Sequence, residues 1–187
     1  DLHHRLFVVG PPPSQATTPG VGQLLALDLD GALIRRFDLP SPVAIALSRD
    51  HTTLYVSEYA SSTIAVLDTA TLEIVGRWST ELPTKKPLDI AEAGGRLWYS
   101  DTTGGSGRGI VSFPLSSPAD THDTAEIEVH GVTFETSPTE PNVLFVLRGE
   151  RITRHDATDP ALPALARGVK QTNGQDLPLG GVADVKS

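Results

Sequence analysis

The sequence predicts an all-β protein made of repeated sheets, and three observations indicate that class. A short apolar strand that opens with Leu and an aromatic residue recurs every 43 to 48 residues, starting at Leu6, Leu54, Leu97 and Leu144. Other short apolar segments and turn residues separate these strands, and 17 Gly and 15 Pro are spread over 187 residues. Repeats of about 40–50 residues that hold several short strands are typical of the four-stranded antiparallel blades of a β-propeller. We therefore predict a β-propeller with about four blades in this chain.

Each repeat contains four strand segments in a fixed order. The first strands are expected at 43–47, 88–91, 131–134 and 180–185, each leading through a turn to the Leu-aromatic strand. The third strands are expected at 24–27, 64–67, 110–113 and 151–154, and the outer strands at 32–37, 72–78, 125–129 and, weakly, 164–167. Three of the third strands run into an Asp at a turn, namely Asp28, Asp68 and Asp156. Side-chain caps of that kind are typical of hairpin turns.

The phase of the repeats leaves three interpretations of the blade number open. We expect one propeller domain or propeller fragment over 1–187, with repeats near 1–40, 41–84, 85–128 and 129–176, and 177–187 as the first strand of a further or closing blade. The two ends could complete one blade of a small ring, the chain could be part of a seven- or eight-bladed ring, or two chains could pair to close one eight-bladed ring. The absence of any Met slightly favours the fragment.

Composition limits the classes of partner. The formal net charge is −8 and the basic residues are scattered, which argues against nucleic acid because phosphate binding needs a clustered cationic surface. No apolar run approaches the roughly 18 residues of a membrane helix, so membrane insertion is not expected. The chain has no Cys, which rules out disulfides, thiol catalysis and thiolate metal sites. This composition is compatible with bacterial secretion.

One stretch of the chain resembles a known repeat family. Residues 42–50 (PVAIALSRD), 54–57 (LYVS) and 64–71 (IAVLDTAT) are similar to the YVTN-type β-propeller repeat, and the other repeats match it more loosely. The resemblance implies a secreted or cell-surface propeller that serves as a binding scaffold without catalysis.

A second resemblance implies a different function. Residues 97–105 (LWYSDTTGG) and 172–174 (TNG) are similar to segments of the gluconolactonase/regucalcin family. In that family a Glu, an Asn and an Asp hold a divalent metal that polarises a lactone. Asp101 and Asn173 match two of these positions, and the Glu-bearing first motif is missing from this sequence.

The candidates for ligand contact are Glu58, Tyr59, Asp101 and Arg108. Glu58 and Asp101 end the Leu-aromatic strands of successive repeats, where they could serve with Asn173 as oxygen ligands for Ca²⁺. The alternative, that both acids are solvated residues capping their loops, is favoured because two acids fall short of a six-ligand shell. Tyr59 is a loop aromatic that could contact a ligand, and Arg108 could project from the Gly-rich loop 104–109.

The histidines are expected at the surface. His51, His122, His130 and His155 fall in separate turns or edges without metal-binding spacing.

Two hypotheses of function follow from these residues and resemblances. The first is a non-catalytic, secreted or surface module that uses no cofactor and binds a protein or carbohydrate partner through its loop faces. The alternative is a metal-dependent, lactonase-like hydrolase with Ca²⁺ as the candidate metal. No catalytic residue is assigned under the first hypothesis.

Overall fold

The structure is a computed structural model. It describes residues 4–10, 20–80, 86–101, 109–118, 123–125, 132–148 and 151–165. Over these ranges the chain forms strands, turns and irregular segments, without a helix. The strands make four antiparallel sheets of three or four strands, each with its strands in chain order. This all-β arrangement confirms the predicted class, because each propeller blade is one antiparallel sheet and successive blades follow one another along the chain. Nowhere in the described ranges is there a helix long and apolar enough to cross a membrane.

The first two sheets lie in a compact unit formed by residues 1–90. The first sheet consists of β1 (Leu6–Gly10), β2 (Val21–Leu27) and β3 (Leu33–Pro40). The second sheet consists of β4 (Pro42–Leu47), β5 (Thr53–Glu58), β6 (Thr63–Asp68) and β7 (Glu73–Ser79). Each sheet falls inside one of the repeats expected from the sequence.

An apolar core joins these two sheets. Side chains alternate between the faces of a strand, so every second residue of β2 points into this core. Leu24 and Ala26 of β2 pack in one cluster with Leu54 and Val56 of β5, and further members are Phe37, Leu39, Ala65, Leu67 and Leu72. At Gly22 the sheets approach so closely that a Cβ there would lie 2.5 Å from the Pro42 ring.

The second compact unit is formed by residues 91–187. It contains the other two sheets except for residues 87–90, which begin the third sheet and belong to the unit of residues 1–90. The third sheet consists of β8 (Pro87–Ala93), β9 (Arg96–Asp101), β10 (Ile110–Pro114) and β11 (Asp123–Ala125). The fourth sheet consists of β12 (Val132–Ser137), β13 (Glu140–Arg148) and β14 (Arg151–Asp156). Their shared core contains Ala91, Ala93, Trp98 and Ile110 from the third sheet and Val132, Phe134, Leu144, Val146, Ala157 and Leu162 from the fourth.

A tight turn fixes the contact between the third and fourth sheets. The Trp98 indole Nε1 donates a hydrogen bond to the Ala93 carbonyl, 3.1 Å away. The next residue, Gly94, has a φ of +61° and donates its N–H to the Pro141 carbonyl at 2.9 Å. A Cβ at Gly94 would lie only 2.2 Å from the Ala157 carbonyl oxygen, so this close approach requires glycine.

The repeated Asp residues cap the turn that follows three of the third strands, β2, β6 and β14, as the sequence predicts. Asp28 Oδ1 accepts hydrogen bonds from the Asp30 and Ala32 N–H groups, at 3.0 and 2.7 Å. Asp68 Oδ1 accepts from the N–H groups of the second and third residues after it, at 2.9 and 2.7 Å. Asp156 Oδ1 accepts from both the N–H and the hydroxyl of Thr158, at 2.9 and 2.7 Å. These recurring carboxylates therefore have a structural role.

The first and fourth sheets each have three strands in the described part of the chain, where the sequence predicts four. Segment 180–185, predicted as the first strand of a further or a closing blade, lies outside the described residues. In the fourth sheet the expected outer strand at 164–167 is reduced to a single bridge between Ala164 and His155 within the described part. The outer strand β11 covers three residues, and residues 126–129 of its predicted extension lie outside the described ranges.

Candidate functional site

One end of the second sheet carries two of the predicted site residues, Glu58 at the end of β5 and Tyr59 in the loop that follows it. Tyr59 to Ser62 connect β5 to β6, beside the short link between β3 and β4. The Tyr59 N–H donates to the Ser41 carbonyl at 3.0 Å, and the Ala60 N–H donates to the Pro40 carbonyl at 3.3 Å. Ser41 has a φ of 47°, and its hydroxyl donates to the Gly20 carbonyl at 2.7 Å. The loop is therefore bonded to the connection between the first two sheets.

Glu58 supports this loop from inside the protein. It is the last residue of β5, and its side chain is fully buried. Its Oε2 accepts a hydrogen bond from the Thr63 hydroxyl at 2.6 Å and faces the Arg77 Nε at 3.1 Å. Ser61 Oγ lies 2.6 Å from Thr63 Oγ1 and so extends the network into the loop. A buried carboxylate is stable only when it is paired and hydrogen-bonded, and Glu58 meets both conditions.

Ser62, the last residue of the loop, is also held in place by hydrogen bonds. Ser62 has a φ of 57°, and its carbonyl accepts hydrogen bonds from both the N–H and the hydroxyl of Thr80, at 3.0 and 2.7 Å. Both residues are buried. A non-glycine residue with positive φ persists where its surroundings hold it there, and this double hydrogen bond does so.

Tyr59 in the loop contacts Lys86, which lies ahead of β8. The Lys86 Nζ lies 5.9 Å from the centre of the Tyr59 ring and donates a hydrogen bond to the Ala60 carbonyl at 3.2 Å. Both side chains are half-buried, and Ser61 and Arg77 beside them are exposed. We call Tyr59, Ser61, Arg77 and Lys86 the Tyr59 cluster. It presents one aromatic ring, two cationic groups and two hydroxyls, those of Tyr59 and Ser61, at the protein surface.

Glu58 and Asp101 differ from the solvated loop caps that the sequence favours, because both side chains are buried. Asp101 ends β9, where its N–H donates to the Gly109 carbonyl at 3.1 Å. Glu58 lies in the unit of residues 1–90 and Asp101 in the unit of residues 91–187. The other two predicted site residues, Arg108 and Asn173, lie outside the described residues.

The surroundings of Glu58 bear on the predicted Ca²⁺ site. A metal ion at its carboxylate would have to displace the Arg77 guanidinium, which already supplies the compensating positive charge. Among the described residues, no group of three or more His, Asp or Glu side chains is arranged to hold a metal ion. Ca²⁺ prefers six to eight oxygen ligands, so Glu58 in this arrangement does not fit such a site. The joint site with Asp101 and Asn173 stays a prediction.

His155 is buried, so its expected surface position is wrong. Its Nδ1 lies 2.8 Å from the Leu162 carbonyl oxygen and its Nε2 lies 2.7 Å from Thr153 Oγ1. Burial lowers the pKa of His155, and the hydrogen bond with the Leu162 carbonyl offsets part of that effect. The neutral ring then donates from Nδ1 to the carbonyl and accepts from the Thr153 hydroxyl at Nε2. His51 is exposed at its turn, as predicted.

Comparisons with known proteins support the fold. No protein-family model matches the chain, and no curated protein matches it either. Solved structures do match, among them Kuenenia stuttgartiensis hydrazine synthase, with a TM-score of 0.63 and 15% sequence identity. The match covers 91% of this chain and 50% of that chain, so this chain spans half the length of the solved one. At this identity the likeness concerns the fold alone. Together with the four ordered sheets, it defines an all-β protein built from propeller-type blades.

Proposed function

We propose that this chain is a non-catalytic binding module that holds a protein or carbohydrate partner through its loop faces, with the Tyr59 cluster as a contact site. The observation that carries this proposal is the pairing of the Tyr59 ring with the Lys86 ammonium group on an anchored loop. Functional residues are concentrated on loops that a rigid scaffold positions. The buried Glu58 network is that scaffold here.

The chemistry of the Tyr59 cluster indicates what the partner offers. Tyr supplies a large contact area at a small cost in conformational entropy, and Tyr and Arg are enriched in binding interfaces. Lys86 and Arg77 are cationic, and the Arg77 side chain is 47% exposed although its Nε contacts Glu58. We expect the partner to present a carboxylate or several hydroxyl groups beside an apolar surface, as acidic sugars and acidic protein segments do.

Quantitative binding to defined probes tests this proposal. The probes are an array of neutral and uronic-acid oligosaccharides and a set of acidic and neutral peptides. For the probe that binds, Tyr59→Ala should weaken affinity about tenfold or more, since a central aromatic contact contributes upwards of about 1.4 kcal/mol. Lys86→Ala should weaken binding to the acidic probes more than to the neutral ones. Arg49→Ala is the matched control, because Arg49 is an exposed cation in the turn at the opposite end of the same sheet.

Two results would contradict the proposal. Unchanged affinity in the Tyr59→Ala and Lys86→Ala variants would show that the Tyr59 cluster does not contact the partner. Turnover of a lactone substrate by the purified chain would remove the non-catalytic assignment.

A secreted or cell-surface location is part of the same proposal. The YVTN-type likeness of residues 42–50, 54–57 and 64–71 supports it. The net charge of −8 supports partners other than nucleic acid.

The lactonase-like hydrolase is the second candidate, and one observation favours it. Asp101 matches a metal-binding position of that family and is a buried carboxylate at the end of a strand. A buried carboxylate requires a compensating partner, and a metal ion is one such partner. A chelation experiment, described in the Discussion, separates this candidate from the binding module.

A further inference from the structure

Arg77 is held by a buried partner and keeps part of its hydrogen-bonding capacity. Its Nε lies 3.1 Å from Glu58 Oε2 and 3.3 Å from Glu58 Oε1, and the Glu58 side chain is fully buried. The Arg77 side chain is exposed over 47% of its surface. None of the residues that the structure describes forms a hydrogen bond with Nη1 or Nη2 of Arg77. The N–H groups of both terminal nitrogens are therefore open to a ligand, on a guanidinium group that Glu58 orients.

The hydrogen bonds around Glu58 also define the role of the Ser61 hydroxyl. An ionised carboxylate only accepts hydrogen bonds, so the Thr63 hydroxyl donates its proton to Glu58 Oε2, 2.6 Å away. Ser61 Oγ lies 2.6 Å from Thr63 Oγ1, and Ser61 is the donor in this contact because the Thr63 proton is already used. Ser61 is exposed. Its oxygen is therefore available to a ligand as an acceptor.

The open donors and the open acceptor lie around the same carboxylate. Glu58 Oε2 is 3.1 Å from Arg77 Nε and 3.5 Å from Ser61 Oγ. The terminal N–H groups of a guanidinium fit the two oxygens of a carboxylate in a planar, bidentate contact. A hydroxyl group of the same ligand can donate to Ser61. The site therefore suits a ligand that carries a carboxylate and a hydroxyl group close together.

The charge of the Tyr59 cluster matches one carboxylate better than one phosphate. Arg77 and Lys86 are both cations, and the buried Glu58 behind Arg77 cancels one of the two positive charges. The remaining single positive charge balances a carboxylate. A phosphate monoester carries about −1.5 to −2 charges at neutral pH, so it would be left with excess negative charge next to Glu58.

The backbone of the loop favours a sugar over a peptide as the source of the carboxylate. The N–H groups of Tyr59 and Ala60 and the carbonyls of Ala60 and Ser62 are already hydrogen-bonded within the protein. Extended peptides are commonly bound through main-chain hydrogen bonds, and these groups cannot supply them. An acidic amino-acid side chain also has no hydroxyl group to donate to Ser61. A uronic acid carries its carboxylate and its hydroxyl groups on one ring.

We propose that Arg77 and Ser61 form a subsite for a uronic acid residue of a carbohydrate partner. This inference rests on the proposed binding function and specifies the acidic part of that partner. Arg77 binds the carboxylate through Nη1 and Nη2, Ser61 accepts a hydrogen bond from a ring hydroxyl, and Glu58 keeps both residues in position. Tyr59, two positions before Ser61, provides an aromatic surface for the rest of the carbohydrate.

A pair of matched carbohydrate probes tests this subsite. The probes are a uronic-acid oligosaccharide and its methyl ester, which keeps every hydroxyl group and loses the negative charges. We expect the wild-type chain to bind the acid about tenfold more tightly than the ester, because the ester cannot form the charge-assisted bidentate contact. Arg77→Lys keeps a positive charge beside Glu58 and loses the fork of donors. It should weaken binding of the acid about fivefold or more and leave binding of the ester as it is in the wild type.

Two further variants complete the test. Ser61→Ala removes the acceptor without changing any charge, so it should weaken binding of the acid and the ester alike, by about threefold to tenfold. Arg36→Lys is the matched control, because Arg36 is an exposed arginine whose Nε lies 3.9 Å from the exposed Asp38. It should leave the affinity for both probes unchanged. Circular dichroism and thermal melting verify that each variant is folded, and the comparison of acid with ester in the wild type needs no variant.

The outcomes separate this inference from the proposed function. Equal affinity of the wild-type chain for the acid and the ester would overturn the uronic acid subsite. If Tyr59→Ala still weakened binding of both probes, the binding module would stand without that subsite. An acidic peptide of equal charge that binds as tightly as the acid would also overturn the subsite and assign Arg77 to a protein partner. Failure of every carbohydrate and peptide probe to bind would contradict both proposals.

Discussion

Arg77 Nε lies 3.1 Å from Glu58 Oε2, and the two partners differ sharply in their exposure to water. The Glu58 side chain is completely buried, whereas 47% of the Arg77 side chain is exposed. A guanidinium group that loses its partner here can regain water, but a buried carboxylate cannot. The ion pair is therefore more important for keeping Glu58 inside the protein than for holding Arg77.

Because Glu58 is buried and Arg77 is half-exposed, we expect mutation of Arg77 to destabilise the protein more than mutation of Glu58. Arg77→Ala leaves a buried carboxylate without its counter-charge and should lower the free energy of unfolding by about 3 kcal/mol. Glu58→Gln keeps an acceptor for the Thr63 hydroxyl and should cost about 1–2 kcal/mol. Urea unfolding of both variants and of the double variant measures the two costs and their coupling. A larger loss for Glu58→Gln than for Arg77→Ala would contradict the role assigned to the pair.

Two adjacent glycines make a controlled test of the contact between the third and fourth sheets. Both have positive φ, +61° at Gly94 and +73° at Gly95, but only Gly94 faces a neighbouring backbone. Gly95→Ala should cost about 1–2 kcal/mol, the strain of a left-handed conformation. Gly94→Ala adds a collision with the Ala157 carbonyl and should exceed about 4 kcal/mol. Equal costs in denaturant unfolding would show that the two sheets do not approach each other as described.

His155 makes the stability of the protein depend on mildly acidic pH. Burial lowers the pKa of His155 below its ordinary value of 6.5, so the unfolded chain binds a proton at higher pH than the folded chain does. Stability is therefore highest above pH 6.5 and should fall as the pH drops from 6.5 towards the folded-state pKa. His155→Gln should remove this component of the slope in urea unfolding between about pH 5 and 8.

The control for the pH experiment is the exposed histidine of the second sheet. His51 lies in a turn with a φ of 63°, and Asn tolerates that conformation. His51→Asn should retain the pH dependence of the wild type. Loss of the slope in this variant, or its persistence in His155→Gln, would assign the effect to a group other than His155.

Chelation separates the binding module from the hydrolase. Because Arg77 already neutralises Glu58, we expect the melting temperature to be the same in millimolar Ca²⁺ and in EDTA. A bound metal would raise it in proportion to the logarithm of its free concentration over its dissociation constant. A rise with Ca²⁺ that disappears in the Asp101→Asn variant would favour the lactonase-like function. Val75→Thr, at an exposed position, is the control for a non-specific effect of mutation.

The arrangement of strands could be predicted from the sequence because its signals are local. The Leu-aromatic strands, the turns and the capping Asp residues each depend on neighbours a few residues away, so their period reveals the sheets. The burial of Glu58 and His155 could not be predicted in this way. It depends on partners 19 and 7 residues away, Arg77 and Leu162, whose approach is set by strand register and sheet packing.

The residues of the candidate site likewise differ in whether the sequence alone could reveal them. Tyr59 was recognisable as a loop aromatic, and a loop aromatic is a recurrent feature of binding surfaces. Lys86 was not recognisable, since it follows Tyr59 by 27 positions and reaches the ring only because β7 brings the chain back to that end of the sheet. No local signal marks Lys86, because its approach to Tyr59 depends on the pairing of β5, β6 and β7.

Every strand pairing in the described part of the chain joins two strands that are consecutive in sequence. Such a sheet can assemble hairpin by hairpin while its chain is still being synthesised, because no strand has to await a distant segment. Within each unit, the apolar core that covers one face of the first-made sheet depends on the repeat that is translated next. Pauses in translation would therefore be tolerated best at links such as the one at Ser41, where β1, β2 and β3 can already pair and the next sheet has not begun.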